Sequence, residues 1–364
     1  MSERHIIALL GRRDEPTDAV EEYCRYLGGA LGNHGFSMEL TRVVWADRGW
    51  TSALRELRER ASTWRGKWVL LQYTALAWSA RGFPSRFLRV VKELRKSGAR
   101  IGIVYHDVEP YGGSRAIDWL RRRAQLRIMR QALRFAHLGI FTLPLDVISW
   151  LGNSHSNATF IPVGANLPLA SFGATESREH QRTPLSVAVF GITEGETGRK
   201  ECARIVDAVG FAAASGRALR LHAFGRGASE CEAELRKALK DVAVELQVDG
   251  VLPAGQVVKA LSSSDVLLFV RGPISSRRGS AIAGIACGLP VIAYSGSETA
   301  PPITDAGVVL VSPGNNAELG EALLRVMSDG GLRSSLAERS RRAQQNHFSW
   351  NAIAERYVAA LGQE

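Results

Sequence analysis

The sequence predicts an α/β protein made of two doubly wound, Rossmann-like domains that face a central cleft. Short hydrophobic runs alternate with helical patterns from one end of the chain to the other, as expected for parallel sheets covered by helices. The 364 residues are long for one hydrophobic core and suit two. Residues 169–184 are polar, lack periodicity and separate the two series of strands, which predicts an interdomain linker.

The first series of elements forms the predicted N-terminal domain, residues 1–168. Runs of branched and aromatic residues predict strands at 5–10, 37–45, 67–73, 100–107 and 138–144. Helical periodicity places helices between them, from Val20 to Asn33, Trp50 to Trp64, Pro84 to Ser97 and Ile117 to Phe135.

The second series forms the predicted C-terminal domain, residues 185–345. Its strands are predicted at 185–191, 219–225, 244–252, 265–270, 290–294 and 307–311, again with helices between them. The stretch from Leu332 onward is amphipathic, and residues 346–364 are predicted to be a C-terminal helix that packs back at the domain junction.

Composition and cysteine usage predict a cytoplasmic location. Hydrophobic residues make up 45% of the chain and charged residues 23%, as in ordinary globular proteins. No apolar run approaches the ~20 residues of a membrane span, and the first strand is too short to be a signal peptide. The four cysteines form no CxxC pair and lie in no histidine cluster, so we expect free thiols and no bound metal.

Positive charge is concentrated in the first half of the chain. Residues 1–168 carry 25 Lys and Arg against 15 Asp and Glu, so the formal net charge of +10 lies wholly there. The densest run is Arg121 to Arg123 followed by Arg127, Arg130 and Arg134. It is either a solvated helix face or a surface for anionic lipid headgroups or an anionic acceptor. No nucleic acid is expected, because interleaved aromatic residues and a DNA-binding motif are both missing.

Residues 264–294 contain a predicted anion site between two strands. Arg277, Arg278, Gly279 and Ser280 lie where a helix should begin, with Ser280 as the expected cap. Helix N–H groups and the helix dipole favour an anion there, and guanidinium groups bind phosphate through paired donors. The segment therefore predicts a diphosphate site, with a short βαβ unit and a solvated arginine pair as the alternative.

The glycine patterns disfavour two common nucleotide-binding classes. Residues 224–227, FGRG, follow a strand and precede a helix but lack the GxGxxG fingerprint of dehydrogenases. The phosphate loop GxxxxGK(S/T) is also missing.

Several segments together resemble the family 4 type of GT-B glycosyltransferases. They are SSSDVLLFVRGPISSRRGSAIAGIACGLPVIAY at 262–294, 307–327, 347–361, YHD at 105–107 and FIPVGANLP at 160–168. The resemblance implies transfer of a hexosyl group from a nucleotide-diphosphate donor to a glycan, lipid-linked or small-molecule acceptor. It also implies retention of configuration and neither metal nor cofactor. The chain departs from the family where two glutamates are usual, because Ser275 and Ala283 occupy those positions.

The resemblance assigns roles to individual residues. For the donor diphosphate they are Arg199, Lys200, Arg277, Arg278, Gly279 and Ser280, and for the nucleoside Gly225, Arg226, Val251 and Leu252. His106 and Asp107, at the end of a strand, are the catalytic candidates, since ligands of open α/β sheets lie outside strand ends. Gly11, Arg12, Arg13 and Glu109 are expected on the acceptor side.

Two other functions are compatible with the same residues. One is a catalytically weak nucleotide-sugar-binding subunit of another transferase, and the other is a GT-B sugar-nucleotide epimerase. The donor sugar, its base, the acceptor and the oligomeric state stay open at this point.

Overall fold

Helices and strands alternate along the chain in the computed structural model, which describes residues 4–15, 17–152, 156–169 and 184–362. Contacts divide it into two units, Met1–Pro162 with Trp350–Glu364, and Val163–Ser349. Each unit contains one six-stranded parallel sheet. Apart from its two end residues, the predicted linker 169–184 lies outside the described residues, so the predicted domain limits stay predictions.

The sheet of the first unit has the strand order β2-β1-β3-β4-β5-β6, and all its described pairings are parallel. Its strands are β1 Arg4–Leu10, β2 Phe36–Arg42, β3 Trp68–Tyr73, β4 Arg100–Tyr105, β5 Leu138–Phe141 and β6 Ala158–Phe160. Its helices are α1 Ala19–Gly32, α2 Trp45–Ala61, α3 Phe87–Ser97, α4 Ala116–Phe135 and the C-terminal α11 Trp350–Gly362.

Helix α11 belongs to the first unit although it is the last element of the chain. Its Tyr357 hydroxyl lies 2.8 Å from the hydroxyl of Tyr23 on α1, and both rings are buried. Trp68 of β3 donates from Nε1 to the Leu361 carbonyl at 3.2 Å. Trp350 stacks on Tyr26 of α1 with ring centroids 5.6 Å apart. These contacts fix the end of the chain against α1 and the sheet.

The sheet of the second unit has the order β12-β11-β10-β7-β8-β9, with parallel pairings throughout its described strands. The strands are β7 Leu185–Phe190, β8 Leu219–Phe224, β9 Val244–Val248, β10 Val266–Phe269, β11 Val291–Tyr294 and β12 Val308–Val311. The helices are α5 Gly195–Ala213, α6 Ala228–Ala238, α7 Ala254–Ser262, α8 Gly279–Ala286, α9 Asn316–Ser328 and α10 Gly330–Ala343.

Both faces of this second sheet are buried, as expected for a parallel sheet. Val187 and Val189 of β7 belong to the hydrophobic cluster on one face, whereas Ala188 between them belongs to the cluster on the other. Leu267 and Leu268 of β10 divide between the two clusters in the same way. The near-continuous apolar runs of the sequence therefore follow from burial on two sides.

Several elements differ from the sequence prediction. The strand predicted at 37–45 ends at Arg42, and α2 begins at Trp45 instead of Trp50. Gly49 has φ 72 and interrupts α2, so the regular helical part starts where the periodicity placed it. Strand β6 was not predicted, because three residues of strand carry too little pattern.

The cap of α8 also differs, because the helix begins at Gly279 with Arg278 at the N-cap position. Ser280 therefore lies inside the first turn, and its prediction as the cap is wrong.

Two of the cysteines are paired, which corrects the prediction of free thiols. Cys202 of α5 and Cys231 of α6 form a disulfide, whereas Cys24 and Cys287 are buried and keep their thiols. In the part of the chain that the structure describes, no helix combines the length and hydrophobicity needed to cross a bilayer.

Candidate functional site

The strand order of the second unit's sheet changes direction between β7 and β10. Strands β8 and β9 follow on one side of β7, and β10, β11 and β12 lie on the other. The loops after β7 and β10 therefore flank a topological switch point, where open parallel sheets bind ligands. The two loops are in contact, because a Cβ built on Gly191 would lie 3.2 Å from Nη1 of Arg271.

Backbone contacts hold the loops after β7 and β8 together. Gly191 donates its N–H to the Phe224 carbonyl at 2.7 Å, and Ile192 donates to the Arg226 carbonyl at 2.9 Å. The buried carboxylate of Glu201 accepts from Thr193 N at 2.7 Å and Thr193 Oγ1 at 2.8 Å. These bonds fix the loop that leads from β7 into α5.

Arg278 is partly buried, and one of its donor groups has no partner among the described residues. This group is Nε, which is buried. Burial lowers the pKa of Arg278, and the positive charges of Arg277 and Arg271 lower it further, against the opposing effects of Glu298 and Glu201. A buried donor without an acceptor is costly, so an anion at this position would satisfy the guanidinium. The adjacent first turn of α8 favours the same kind of ligand.

Arg277 is held by a carboxylate from the loop after β11. Glu298 accepts from Arg277 Nε at 2.9 Å and from Arg277 Nη2 at 2.7 Å, and Ser275 Oγ donates to Oε2 of Glu298 at 3.2 Å. Burial acts to raise the pKa of Glu298, but the hydrogen bonds and charge of Arg277 lower it overall. Glu298 is therefore ionised at neutral pH and fixed in orientation.

The predicted diphosphate residues lie on two helices. Gly279 and Ser280 are on the first turn of α8, beside Arg277 and Arg278. Arg199 and Lys200 are exposed on the first two turns of α5, and Lys200 pairs with Glu196 at 2.8 Å. The negative charge of Glu201, the residue after Lys200, acts to raise the pKa of Arg278. The first turns of α5 and α8 therefore lie at the same end of the sheet.

The predicted nucleoside residues come from the loops after β8 and β9, which the structure brings together. Gly225 donates its N–H to the Gly250 carbonyl at 2.9 Å and has φ 95. Val251 is 58% exposed, and Leu252 packs partly buried against the core. Arg226 follows Gly225 at the turn into α6.

The first unit has its own switch point, between β1 and β3, with a cavity of about 250 Å³. Arg12 donates its N–H to the Ala77 carbonyl at 2.8 Å, which joins the loops after the two strands. Four of the predicted residues line the cavity: Gly11, Arg12, Arg13 and Asp107. The other polar residues of the lining are Asp14, Asp18, Arg42, Gln72 and Thr74.

His106 is neutral at physiological pH. Burial lowers its pKa to about 4. Gln72 donates from Nε2 to the Leu70 carbonyl at 3.2 Å, so its Oε1 faces His106 Nε2, at 2.9 Å. An amide oxygen only accepts, which places the histidine proton on Nε2. This geometry favours an orienting role for His106 over proton transfer.

Asp107 and Glu109 hold neighbouring loops. Asp107 Oδ2 accepts from Ala75 N at 2.7 Å beside the cavity. Glu109 accepts from Ser149 N and Ser149 Oγ, each at 2.7 Å, and is not among the residues lining the cavity. The structure therefore groups Asp107 with Gly11, Arg12 and Arg13 but not with Glu109.

Sequence reasoning missed three residues of these sites. Arg271 directly follows the predicted strand 265–270, so the strand-end rule could have found it. Gln72 is the polar residue near the end of a hydrophobic run and gave a weaker signal of the same kind. Glu298 lies 21 positions beyond Arg277 in a loop with no motif, and only the folded chain shows their pairing.

The outer face of α4 carries a stripe of arginines. Arg123, Arg127, Arg130 and Arg134 follow at helical spacing, all exposed, and line a groove of about 690 Å³. Large apolar side chains are exposed around the start of the same helix, with Trp119 at 56%; the others are Tyr111, Ile117 and Leu120. Arg123 lies over the Trp119 ring at 4.7 Å.

Groups of three or more His, Cys, Asp or Glu side chains placed to hold a metal ion are not found in the described ranges.

The fold matches solved structures of GT-B glycosyltransferases over nearly the whole chain. Sucrose-phosphate synthase from Thermosynechococcus elongatus is 19% identical with a TM-score of 0.69, and the match covers 98% of each chain. HepE from Anabaena, in complex with UDP and glucose, is 16% identical with a TM-score of 0.65, covering 98% of this chain and 99% of that one. A putative UDP-N-acetylglucosamine 2-epimerase from Listeria monocytogenes is 12% identical with a TM-score of 0.59, covering 99% and 96%.

These likenesses show the GT-B fold with its two Rossmann-like domains. No protein-family model matches the sequence. No curated protein matches it either.

Proposed function

We propose that the chain is a glycosyltransferase that moves a hexosyl group from a nucleotide-diphosphate donor to a hydroxyl-bearing acceptor, without a metal ion. One observation supports this most strongly. Arg278 is a partly buried arginine whose Nε is buried and unsatisfied, at the start of α8 and on a switch point of the GT-B fold. A departing diphosphate is the kind of ligand that such a group would stabilise.

The second unit would bind the donor. Arg278, Arg271 and the first-turn N–H groups of α8 would hold the diphosphate, and Arg199 and Lys200 would add charge from α5. The loops at 225–226 and 251–252 would contact the nucleoside. Positive groups already in place would stabilise the charge that develops on the leaving diphosphate, without reorganisation during the reaction.

The first unit would bind the acceptor in its 250 Å³ cavity. Asp107 is the group there that would accept a hydrogen bond from the attacking hydroxyl, and neutral His106 would orient its neighbours through Nε2–H. Retention of anomeric configuration is the expectation that the family resemblance carries, and the coupling constant of the product's anomeric proton would test it.

The test is binding and turnover across a panel of nucleotide sugars. We expect at least one donor to bind and to release its nucleoside diphosphate when sugar acceptors are supplied, at the same rate with and without EDTA. Arg278→Met should weaken donor binding by at least about tenfold, because a charge-assisted phosphate contact of about 1.5–3 kcal/mol is lost.

The same substitution gives a control on folding. It removes a buried Nε–H donor that has no acceptor among the described residues, so the melting temperature of Arg278→Met should stay equal or rise. Lys237→Met, on the exposed last turn of α6, is the matched cationic control and should bind donor like wild type. Failure of every nucleotide sugar to bind wild type would contradict the proposal.

The two alternatives give different results in the same assays. A sugar-nucleotide epimerase should interconvert two nucleotide sugars without an acceptor. The putative epimerase of the same fold supports this alternative. A nucleotide-sugar-binding subunit, suggested by Ser275 and Ala283 in place of the family's glutamates, predicts binding without any turnover.

We further propose that α4 contacts an anionic membrane, where a lipid-linked acceptor would be found. The arginine stripe would meet lipid phosphates, and Trp119, Ile117 and Leu120 would enter the interface. Each basic residue near such a surface contributes about 1 kcal/mol.

Vesicle flotation tests this contact. The protein should float with phosphatidylglycerol vesicles at low salt, and an Arg127→Gln, Arg130→Gln double variant should bind about thirtyfold more weakly. A matched double variant on α10, Arg341→Gln with Arg342→Gln, should bind like wild type. Equal binding by both variants would show that α4 is not the membrane surface.

A further inference from the structure

Glu298 places a carboxylate inside a group of arginines that is otherwise suited to phosphate. The positive charges of Arg271 and Arg277 both act on Arg278, and Glu298 is the acidic partner of Arg277. The Glu298 side chain is 18% exposed, so one edge of it can be reached by a ligand. A phosphate site gains nothing in affinity from a carboxylate, which raises the question of what Glu298 recognises.

The Glu298 carboxylate can accept a further hydrogen bond in addition to those that it already accepts. Oε2 accepts from Ser275 Oγ and from Arg277 Nε, whereas Oε1 accepts from Arg277 Nη2. Each carboxylate oxygen offers about two acceptor positions, so Oε1 has one to offer. An ionised carboxylate cannot donate, and its partner must therefore be an O–H or N–H donor, such as a sugar hydroxyl.

Because of the pairing with Glu298, the two adjacent arginines differ in the donor groups that they can offer to a ligand. Both donor groups on one edge of Arg277 are used by Glu298, whereas Arg278 Nε is buried without a partner among the described residues. Arg278 thus offers a site for phosphate, and Glu298 offers a site for a hydroxyl next to it.

We propose that Glu298 makes this site selective between two kinds of ligand. The site favours a phosphate that carries a hydroxyl-bearing group, such as a sugar, and disfavours a phosphate that is followed by a further phosphate. This inference rests on the proposed function and adds the residue that would read the transferred group. A sugar hydroxyl would donate to Oε1, whereas a terminal phosphate at the same place would meet like charge. The site would then reject nucleoside triphosphates that share the base of the donor.

The test compares dissociation constants of a nucleotide sugar, its nucleoside diphosphate and its nucleoside triphosphate, measured by calorimetry without divalent cations. Wild type should bind the nucleotide sugar at least about tenfold more tightly than the triphosphate. In Glu298→Gln, this preference should fall about tenfold, mainly because the triphosphate binds more tightly. Glu245→Gln, which removes the more exposed carboxylate partner of Arg220 in the same unit, should keep the wild-type preference.

The outcomes separate the two proposals. An unchanged preference in Glu298→Gln overturns the role of Glu298 while leaving the proposed function in place. Absence of nucleotide binding in wild type overturns both. If Glu298→Gln fails to fold, Glu298→Asp keeps the charge but withdraws the oxygens. Glu298→Asp should then keep the discrimination against triphosphate and lose affinity for the sugar, and retained sugar affinity would contradict the proposal.

Discussion

At the residue scale, the environment of each charged side chain decides its chemistry. Arg277 and Arg278 are adjacent in sequence, yet Arg277 is paired with a carboxylate and Arg278 has a buried Nε without a partner in the described structure. The sequence predicted that both would meet a phosphate, since nothing in RRGS distinguishes them. The distinction arises from Glu298, whose loop reaches them only when β10 and β11 lie side by side.

The pH dependence of stability is a prediction at the same scale. The pKa of His106 is about 4 in the folded protein, because the ring is buried, against about 6.5 in the unfolded chain. Between these values the unfolded state binds more protons, so stability is complete above about pH 6.5 and falls as the pH is lowered towards 4. His106 should account for a loss of roughly 2 kcal/mol between pH 7.5 and 5.

Denaturant unfolding of wild type and His106→Gln at the two pH values measures this loss. The variant should lose less stability on acidification by about that amount, whatever its stability at pH 7.5. The pKa of His137 is also lowered mainly by burial. Because His137 is present in both proteins, its contribution cancels when their losses of stability are compared. Equal acid sensitivity of the two proteins would show that His106 titrates normally.

At the element scale, close backbone approach fixes the loops around the donor site. Gly198, on the first turn of α5, has no room for a side chain, because a Cβ there would collide with the Thr193 carbonyl. Gly210, further along the same helix, has nothing within 4 Å of that position. One helix therefore contains a glycine that the fold requires and another that it does not.

Two glycine-to-alanine substitutions in α5 should accordingly have opposite effects. Gly198→Ala should destabilise by about 2–3 kcal/mol, since the loop after β7 must move. Gly210→Ala should stabilise by about 0.5–1 kcal/mol, because alanine favours a helix interior. Thermal or denaturant unfolding measures both, and a change of the same sign in the two variants would contradict this account.

The order of the elements could be predicted from sequence, but several boundaries and contacts could not. Hydrophobic runs predicted every strand except β6, since burial on both faces leaves a strong pattern. The start of α2 was misplaced because a glycine kink interrupts the periodicity at Gly49. The contact between Gly191 and Arg271 depends on β10 lying beside β7, and local patterns do not encode strand order.

At the scale of the whole molecule, the two units are connected unequally along the chain. The second unit is one continuous segment, residues 163–349, whereas the first needs residues 1–162 and α11. Local sequence patterns predicted a final helix, but its contacts with Tyr23, Tyr26 and Trp68 required the folded structure.

Removal of residues 350–364 should therefore affect the two units differently. The shortened chain should lose protease resistance and hydrogen-exchange protection in α1 and β3, because Tyr23 and Trp68 lose their partners. Donor binding should be kept, since the proposed donor residues lie in 163–349. Loss of nucleotide binding with an unaffected first unit would contradict this division.

The place of α11 also sets an order of events during synthesis. We expect residues 163–349 to fold once they have left the ribosome, because they form one continuous unit, and the first unit, although translated earlier, to be completed only when α11 follows. Throughout that interval α1 exposes the surface on which Tyr357 will pack, and a chaperone that binds apolar segments would find it there. The half of the protein that is translated first is thus the half that is completed last.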